Sequence, residues 1–194
     1  MFAQRPALCV YCGSRHGQHP AYTQAARELG RRIGEQGWSL VYGGGCVGLM
    51  GEVADAALAA GAPVLGVIPD SLVRREVSHT GLTELQVVET MHQRKQAMAE
   101  AADAFVALPG GIGTFEELYE VWSWQHLGYH RKPVALLDVE GYYEPLLTFM
   151  KHTEAQGFVS AEQAQGLQVH RSVDALFSAL AGRQPSAAGD FSRI

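Results

Sequence analysis

The sequence predicts an α/β fold, a single domain built on one doubly wound parallel β-sheet with helices on both faces. Short apolar runs rich in β-branched residues alternate with longer segments of helical periodicity along most of the chain. The runs are hydrophobic at consecutive positions, as in strands buried on both faces of a parallel sheet. A length of 194 residues suits one domain with a full core.

The elements follow in order along the chain. Short apolar runs bounded by Gly, Pro or polar residues predict strands at 7–11, 39–42, 64–68, 85–88, 104–108, 134–137 and 167–169. Apolar residues at helical spacing predict helices near 21–36, 49–60, 91–101, 114–125, 143–156 and 173–181. In such a fold, ligands bind beyond the carboxyl ends of the strands.

Two segments fall outside this alternation. Residues 70–84 form the only long internal loop, which is predicted to act as a lid or as a partner contact. The predicted domain covers residues 1–182. Residues 183–194 contain Pro, Ser, Ala and Gly and are predicted to be a flexible tail.

Composition excludes several classes of protein. A net charge of −5 with only three lysines argues against a general nucleic-acid or anionic-membrane surface. The apolar runs are too short to span a bilayer, and no secretory signal precedes the first strand. The odd set of Cys9, Cys12 and Cys46 fits reduced thiols in the cytoplasm. Cys9 and Cys12 have C-x-x-C spacing, but no second pair completes a metal or redox site.

A first glycine-rich turn spans residues 43–48, between a predicted strand and a predicted helix. It satisfies G-x-G-x-x-G, and Asp70 follows at roughly the ~20-residue spacing of a dinucleotide site. A dinucleotide oxidoreductase is therefore one interpretation. Gly44 and Gly45 are candidate ligand contacts, with a tight packing turn as the alternative. Ser14, just past the first strand, either touches the same ligand or caps a helix.

The second glycine-rich segment, residues 109–117, follows the strand predicted at 104–108 and opens the next helix. Glycine lets the backbone approach a ligand, and the free N–H groups of a helix N-terminus suit a phosphate, so Gly110 to Thr114 are predicted to bind one. Glu116 and Glu117 would repel a bare phosphate, whereas a nucleoside monophosphate carries an anion at one end and a hydroxyl-rich sugar next to it. The alternative is a capping box between Thr114 and Glu117.

Two basic residues, Arg94 and Lys95, open the helix predicted at 91–101. Cations at a helix N-terminus oppose the helix dipole, and a nearby anion would remove this conflict. An arginine can grip a phosphate in bidentate fashion, while a lysine adds a point charge. The alternative is a solvated pair answered by Glu89 or Glu100.

Two tryptophans, Trp122 and Trp124, lie two residues apart in the helix predicted at 114–125. Because residues two apart cannot share one helical face, one of them is predicted to meet a partner subunit or a ligand base.

The segments 43–51, 91–95 and 109–117 together resemble the Lonely Guy family, phosphoribohydrolases that activate cytokinins and are often labelled lysine decarboxylases. The resemblance covers residues 6 to 181 in order. It implies a Rossmann-like fold, a homodimer with the site near the interface, and hydrolysis of the N-glycosidic bond of a purine riboside 5′-monophosphate. The products would be ribose 5-phosphate and adenine or an N6-substituted adenine.

The same resemblance implies roles for individual residues. Arg94 and Glu117 match the family's catalytic pair. The positions that match its substrate contacts are Glu76, Arg94, Lys95, Gly111, Ile112, Gly113, Thr114, Phe115, Glu116, Glu117 and Ser123. No metal or organic cofactor is expected. Two alternatives stay open, a nucleotide-binding protein without activity on this same fold and the NAD(P)-dependent oxidoreductase.

Overall fold

The computed structural model describes residues 5–73, 78–181 and 189–191. The strands are β1 (Ala7–Tyr11), β2 (Ser39–Tyr42), β3 (Val64–Pro69), β4 (Glu84–Val88), β5 (Ala104–Ala107), β6 (Val134–Leu137) and β7 (Leu167–His170). The helices are α1 (Pro20–Glu35), α2 (Gly48–Ala59), α3 (Asp70–Val73), α4 (Met91–Ala101), α5 (Ile112–His126), α6 (Glu144–Ala155), α7 (Ala161–Gln165) and α8 (Val173–Leu180).

The seven strands form one parallel sheet in the order β4-β3-β2-β1-β5-β6-β7. The predicted α/β fold with a doubly wound sheet is confirmed. The chain winds outward from β1 to β4 and then returns to the other side of β1 as β5. The direction of winding therefore reverses between β1 and β5, and the carboxyl ends of these two strands border the crevice where such folds bind ligands.

Each face of the sheet has its own hydrophobic core. Helices α1, α2 and α8 cover one face, and the buried Ala26, Leu29 and Ile33 of α1 recur at helical spacing. Helices α4 and α5, with α6 packed beside them, cover the other face. The central strands contact both cores and are buried along their whole length, which explains their continuously apolar sequences.

Most predicted elements match within one residue at each end, but two short helices and one helix start differ by more. Helices α3 and α7 are four and five residues long, too short to show a helical period. The first of them begins at Asp70, inside the segment predicted as a loop, and residues 74–77 of that segment lie outside the described part of the chain. Helix α5 begins at Ile112 rather than at Thr114.

Both tryptophans of α5 are buried, so the prediction that one meets a partner subunit or a ligand base is wrong. Trp122 donates its indole N–H to the carbonyl of Gln163 beside α7, at 3.1 Å. Trp124 stacks edge-on against Phe191 with ring centroids 5.9 Å apart. Helix α5 can bury two faces because the segments that contain Gln163 and Phe191 cover sides of the helix that do not face the sheet.

The buried Phe191 also bears on the predicted tail. Of the predicted tail, the structure describes residues 189–191, and Phe191 is 2% exposed, packed on Trp124, His130 and the ammonium of Lys132. Phe191 therefore packs against the domain, and the flexible tail over residues 183–194 stays a prediction, because most of that segment lies outside the described residues. Across the described ranges, every helix is too short or too polar to cross a membrane.

Candidate active site

Three loops meet at the carboxyl ends of β1, β2 and β5. The loop after β1 joins the other two through main-chain hydrogen bonds, since Gly13 donates to Pro109 at 3.1 Å and accepts from Leu49 at 3.0 Å. At Gly110, a methyl group would lie 2.1 Å from the Thr114 hydroxyl and 2.9 Å from the nitrogen of Gly13. Only glycine fits there, because the two loops touch through their backbones.

The N-terminus of α5 has no side-chain cap. Gly111 is the cap residue, and the first helical hydrogen bond runs from Phe115 to Gly111 at 3.1 Å, which leaves the N–H groups of residues 112–114 without a helical acceptor. A methyl group on Gly111 or Gly113 would meet no atom within 4 Å, so a ligand can reach this backbone. Uncapped N–H groups beside open space suit an anion.

The capping-box alternative for Thr114 and Glu117 is wrong. Because α5 begins at Ile112, Thr114 lies inside the first turn, buried against Gly110 rather than at the cap. The structure instead has a capping box at the start of α4, where Thr90 and Gln93 exchange hydrogen bonds. Glu117 is thus free of any capping role.

Arg94 reaches from the first turn of α4 into the interior behind the first glycine turn, and its side chain is 8% exposed. Its Nε donates to the carbonyl of Val67 and its Nη2 to the carbonyl of Gly43, each at 3.0 Å. The remaining Nη1 lies 3.7 Å from Oε1 of Glu117. Two main-chain acceptors therefore fix the guanidinium, and the solvated-pair alternative is wrong for Arg94.

Gly43 makes room for this guanidinium. A methyl group at that position would lie 2.1 Å from Nη2 of Arg94 and 3.5 Å from Sδ of Met50. We expect Gly43→Ala to displace Arg94 and to lower the nucleotide hydrolysis that the family resemblance implies at least about tenfold, because a catalytic group held out of position loses much of its effect on the activation barrier. Steady-state kinetics with circular dichroism measures this. Gly61→Ala is the comparison for a loss of stability away from the site, because Gly61 has open space around it but a φ of +78°, at which alanine is strained. Equal turnover in the two variants would contradict a specific role for Gly43.

Burial raises the pKa of Glu117 to about 7. Desolvation is the main cause, the guanidinium of Arg94 opposes it, and the charges of Glu116 and Glu120 add to it. A carboxyl group that titrates near neutrality can exist as a carboxylate or as an acid at working pH. This is the range in which a group serves best in proton transfer.

Lys95 lies between two carboxylates of α5. Its ammonium donates to Glu116 and, at 2.9 Å, to Glu120. Desolvation lowers the pKa of Lys95, but the hydrogen bonds to these two glutamates outweigh it and raise the pKa above its usual value. The predicted conflict between this cation and the helix dipole is therefore resolved by acidic partners on the neighbouring helix rather than by Glu89 or Glu100.

The other predicted site residues are spread more widely. Ser14 is exposed and lines a cleft of about 490 Å³ with Arg15, Tyr22, Gly110 and Tyr142, on the α1 side of the second glycine segment. Ile112, Gly113, Phe115 and Glu116 occupy the first turns of α5, and Ser123 is exposed on the same helix. Glu76 lies outside the described residues.

Gly44 and Gly45 hold the first glycine-rich turn against the segment at residues 78–79. Both are buried, Gly44 accepts a hydrogen bond from the N–H of His79 at 3.1 Å, and Gly45 forms a bridge with Ser78. This placement favours the packing alternative over direct ligand contact. The dinucleotide interpretation also weakens, because the turn follows β2 rather than β1 and Asp70 starts α3.

Sequence reasoning missed two tyrosines and a glutamate near the site. The hydroxyl of Tyr142 donates to the carbonyl of Gly110, and that of Tyr143 to the carbonyl of Leu108 at 2.7 Å. From the loop after β6, Tyr142 therefore holds the second glycine segment and Tyr143 holds the residue just before it. No local pattern predicts so distant a contact. Glu120 was detectable, because it follows Glu116 by four residues and so shares its helical face.

Comparison with known proteins agrees with the three motifs. Residues 50–180 match the family model described as "Possible lysine decarboxylase". Cytokinin riboside 5′-monophosphate phosphoribohydrolase LOG7 of Arabidopsis thaliana is 54% identical over 153 residues, covering 79% of this chain and 70% of that protein. The cytokinin riboside 5′-monophosphate phosphoribohydrolase of Rhodococcoides fascians is 46% identical over 175 residues, covering 90% and 88%. The chain belongs to the Lonely Guy family.

The lysines of this Lonely Guy protein do not suit the decarboxylase description of the family model. A pyridoxal enzyme needs a lysine amine free to form a Schiff base. Lys95 is held by two glutamates, and Lys132 is buried with its ammonium donating to the carbonyl of Ala99 at 2.7 Å. Lys151 is exposed on α6, away from the glycine turns.

A solved structure supports the fold of this Lonely Guy protein. The molybdenum cofactor carrier protein of Chlamydomonas reinhardtii superimposes with a TM-score of 0.70 at 22% identity, covering 91% of this chain and 96% of that one. At this identity the likeness shows the fold alone.

Proposed function

We propose that this protein hydrolyses the N-glycosidic bond of AMP or of N6-substituted adenosine 5′-monophosphates, giving ribose 5-phosphate and the free base. The observation that carries the proposal is the arrangement of Arg94 and Glu117. A buried carboxyl group with a pKa near 7 lies 3.7 Å from a fixed guanidinium, just behind the uncapped glycine-rich N-terminus of α5. The printed activity of the relatives at 54% and 46% identity agrees with it.

In this proposal the 5′-phosphate binds at the start of α5. The N–H groups of residues 112–114 have no helical acceptor, and open space lies beside Gly111 and Gly113. The positive end of the helix dipole adds to the attraction. Gly110 shapes the segment through its backbone contact with Gly13. A phosphate here would leave the ribose within reach of Glu116 and Glu117, in the next turn.

The nucleotide would then extend along α5. From Thr114 to Ser123 the helix rises about 13 Å at 1.5 Å per residue, a span that an extended nucleoside monophosphate can cover. Glu116 is half exposed and available to accept hydrogen bonds from ribose hydroxyls, whereas Glu117 is nearly buried. This difference in burial favours sugar binding for Glu116 and chemistry for Glu117.

The proposed reaction breaks the bond between C1′ and the purine nitrogen and forms a bond between C1′ and a water oxygen. Positive charge develops on the sugar in the transition state, as in glycoside hydrolysis. The Glu117 carboxylate stabilises that charge and accepts a proton from the attacking water, and the departing base takes up one proton. Arg94 either binds the phosphate or polarises the end of the nucleotide at which the N-glycosidic bond breaks.

A comparison of AMP with adenosine tests this proposal. We expect release of adenine from AMP, followed by chromatography, and release from adenosine slower by about 10²-fold or more, because the phosphate supplies binding energy that orients the sugar. Equal rates would contradict phosphate anchoring. Tight AMP binding without any free adenine would instead favour the nucleotide-binding alternative, and a thermal shift with NAD(P) but none with AMP would favour the oxidoreductase.

We also propose a cytoplasmic homodimer with its site near the subunit interface. Ile112 is 87% exposed and Met91 is 42% exposed, and both lie beside the site on surfaces that a second subunit could cover. The unpaired thiols of Cys9, Cys12 and Cys46 suit a reducing compartment. Light scattering should give twice the 21.0 kDa of the chain; a mass of one chain at assay concentration would contradict the dimer.

A further inference from the structure

Glu120 lies one helical turn beyond the site residues of α5 and shares their surroundings. Its Oε1 accepts a hydrogen bond from the ammonium of Lys95 at 2.9 Å, and its Oε2 is buried without a hydrogen-bond partner. The side chain is 23% exposed, against 48% for Glu116. The hydrogen bond from Lys95 is charge-assisted and joins two partly buried side chains, so Glu120 and Lys95 stabilise each other.

Lys95 is shared between Glu120 and Glu116. If ribose hydroxyls bind Glu116, they compete with Lys95 for its oxygens, and the hydrogen bond to Glu120 becomes the one that holds the ammonium. The spacing allows this, because Glu116 and Glu120 lie four residues apart on one face of α5, opposite Lys95 on α4.

We propose that Glu120 is a positioning residue for the reaction, which holds the Lys95 ammonium beside the sugar and phosphate while Glu116 binds the ribose. The inference rests on the proposed function. The role of Glu120 differs from the roles of Glu116 and Glu117, since Glu120 acts through Lys95 and need not touch the nucleotide.

The charge of Glu120 also acts on Glu117. Among the residues that the structure describes, the charged or titratable groups that act on Glu117 are Arg94 and Lys95 from α4, Glu116 and Glu120 from α5, and Cys9, Tyr11 and Cys12 from β1 or just after it. The negative charge of Glu120 raises the pKa of Glu117. Its removal therefore lowers that pKa, and the acid limb of the pH profile moves to lower pH.

Glu120→Gln tests this inference, because it keeps the shape and one acceptor oxygen but removes the charge. We expect the KM for AMP to rise about tenfold, the scale of one lost charge-assisted hydrogen bond, with a smaller change in kcat. The acid limb of kcat/KM should move to lower pH. Glu120→Asp, which restores the charge, should recover part of both effects.

Two comparisons separate positioning from folding. Glu100→Gln removes an exposed carboxylate of α4 whose hydrogen bond, within the described part of the chain, comes from Gln96, and it should leave KM and the pH profile unchanged. In a Lys95→Gln background, Glu120→Gln should add little to KM, because its effect passes through the ammonium. Fully additive effects, or a Glu120→Gln variant with altered thermal stability but wild-type KM and pH profile, would overturn the inference.

A failure of the proposed hydrolysis can be distinguished from a failure of the positioning role of Glu120. If the wild-type protein binds AMP but releases no adenine, hydrolysis is refuted, and Glu120 is then judged by two readouts that need no turnover. Calorimetry should show about tenfold weaker AMP binding in Glu120→Gln, and ¹³C NMR should show the carboxyl of Glu117 titrating at lower pH than in the wild type. Unchanged values in both, or no AMP binding by the wild type, would overturn the positioning role.

Discussion

Glu117→Gln is expected to lower kcat/KM for AMP by about 10²-fold or more, the scale for losing a group in acid–base catalysis. The amide can neither take a proton from water nor carry the negative charge that stabilises a sugar cation. The substitution tests this effect directly, because Glu117 caps no helix and, among the residues that the structure describes, its carboxylate forms an ion pair with Arg94 but no hydrogen bond. The measurement is adenine release from AMP under steady-state conditions.

The pH dependence gives a second readout for the same group. Burial raises the pKa of Glu117 to about 7, so the active carboxylate is lost as pH falls below neutrality, and wild-type kcat/KM should decline on an acid limb centred near pH 7. The residual activity of Glu117→Gln should lack that limb. A rise in the pKa of a folded carboxyl group also lowers stability as pH increases from the unfolded value, near 4.5, to about 7. The variant should therefore be at least as stable as the wild type at pH 8.

Glu116→Gln provides the matched control, since it changes the adjacent carboxylate on the exposed side of the same turn. It should raise KM more than it lowers kcat. It should keep an acid limb, moved to lower pH, because the charge of Glu116 also raises the pKa of Glu117. A Glu117→Gln variant that folds and turns over AMP at the wild-type rate would remove Glu117 from the chemistry. An unchanged acid limb in that variant would assign the limb to another group.

Arg94→Ala is expected to lower kcat/KM for AMP by on the order of 10²-fold or more, the scale for removing one donor that stabilises developing charge. The variant should also be less stable. The carbonyls of Val67 and Gly43 lose their donors, and each buried acceptor left unpaired costs about 1–3 kcal/mol. Thermal unfolding measures the second effect, and the assay should run well below the unfolding midpoint of the variant.

Guanidinium chloride at low concentration separates the two roles of Arg94. The truncation leaves a space shaped for a guanidinium between Gly43 and Glu117, so the free ion should restore part of the activity of Arg94→Ala and none of the activity of Glu117→Gln. Arg131→Ala, which removes an exposed arginine, should leave both activity and stability unchanged. Wild-type turnover by folded Arg94→Ala would remove the guanidinium from the site.

The alternation of elements was readable from the sequence because its causes are local. Strands β1, β2 and β6 and helix α4 have the predicted bounds, since each is marked by burial on both faces or by clear capping and turn residues. The short helices α3 and α7 were missed, because four or five residues carry no period. The start of α5 was placed two residues late, since Thr114 and Glu117 imitate a capping box.

The sequence by itself determined the order of the elements, the α/β class and the two glycine turns at strand ends, because backbone freedom and hydrophobic periodicity are properties of neighbouring residues. The three motifs also identified the family. Only the tertiary structure decided that Arg94 is fixed by the carbonyls of Val67 and Gly43, that Lys95 is shared by Glu116 and Glu120, and that both tryptophans are buried. These outcomes depend on which distant segments meet, and so does the pKa of Glu117, because desolvation is set by packing rather than by sequence neighbours.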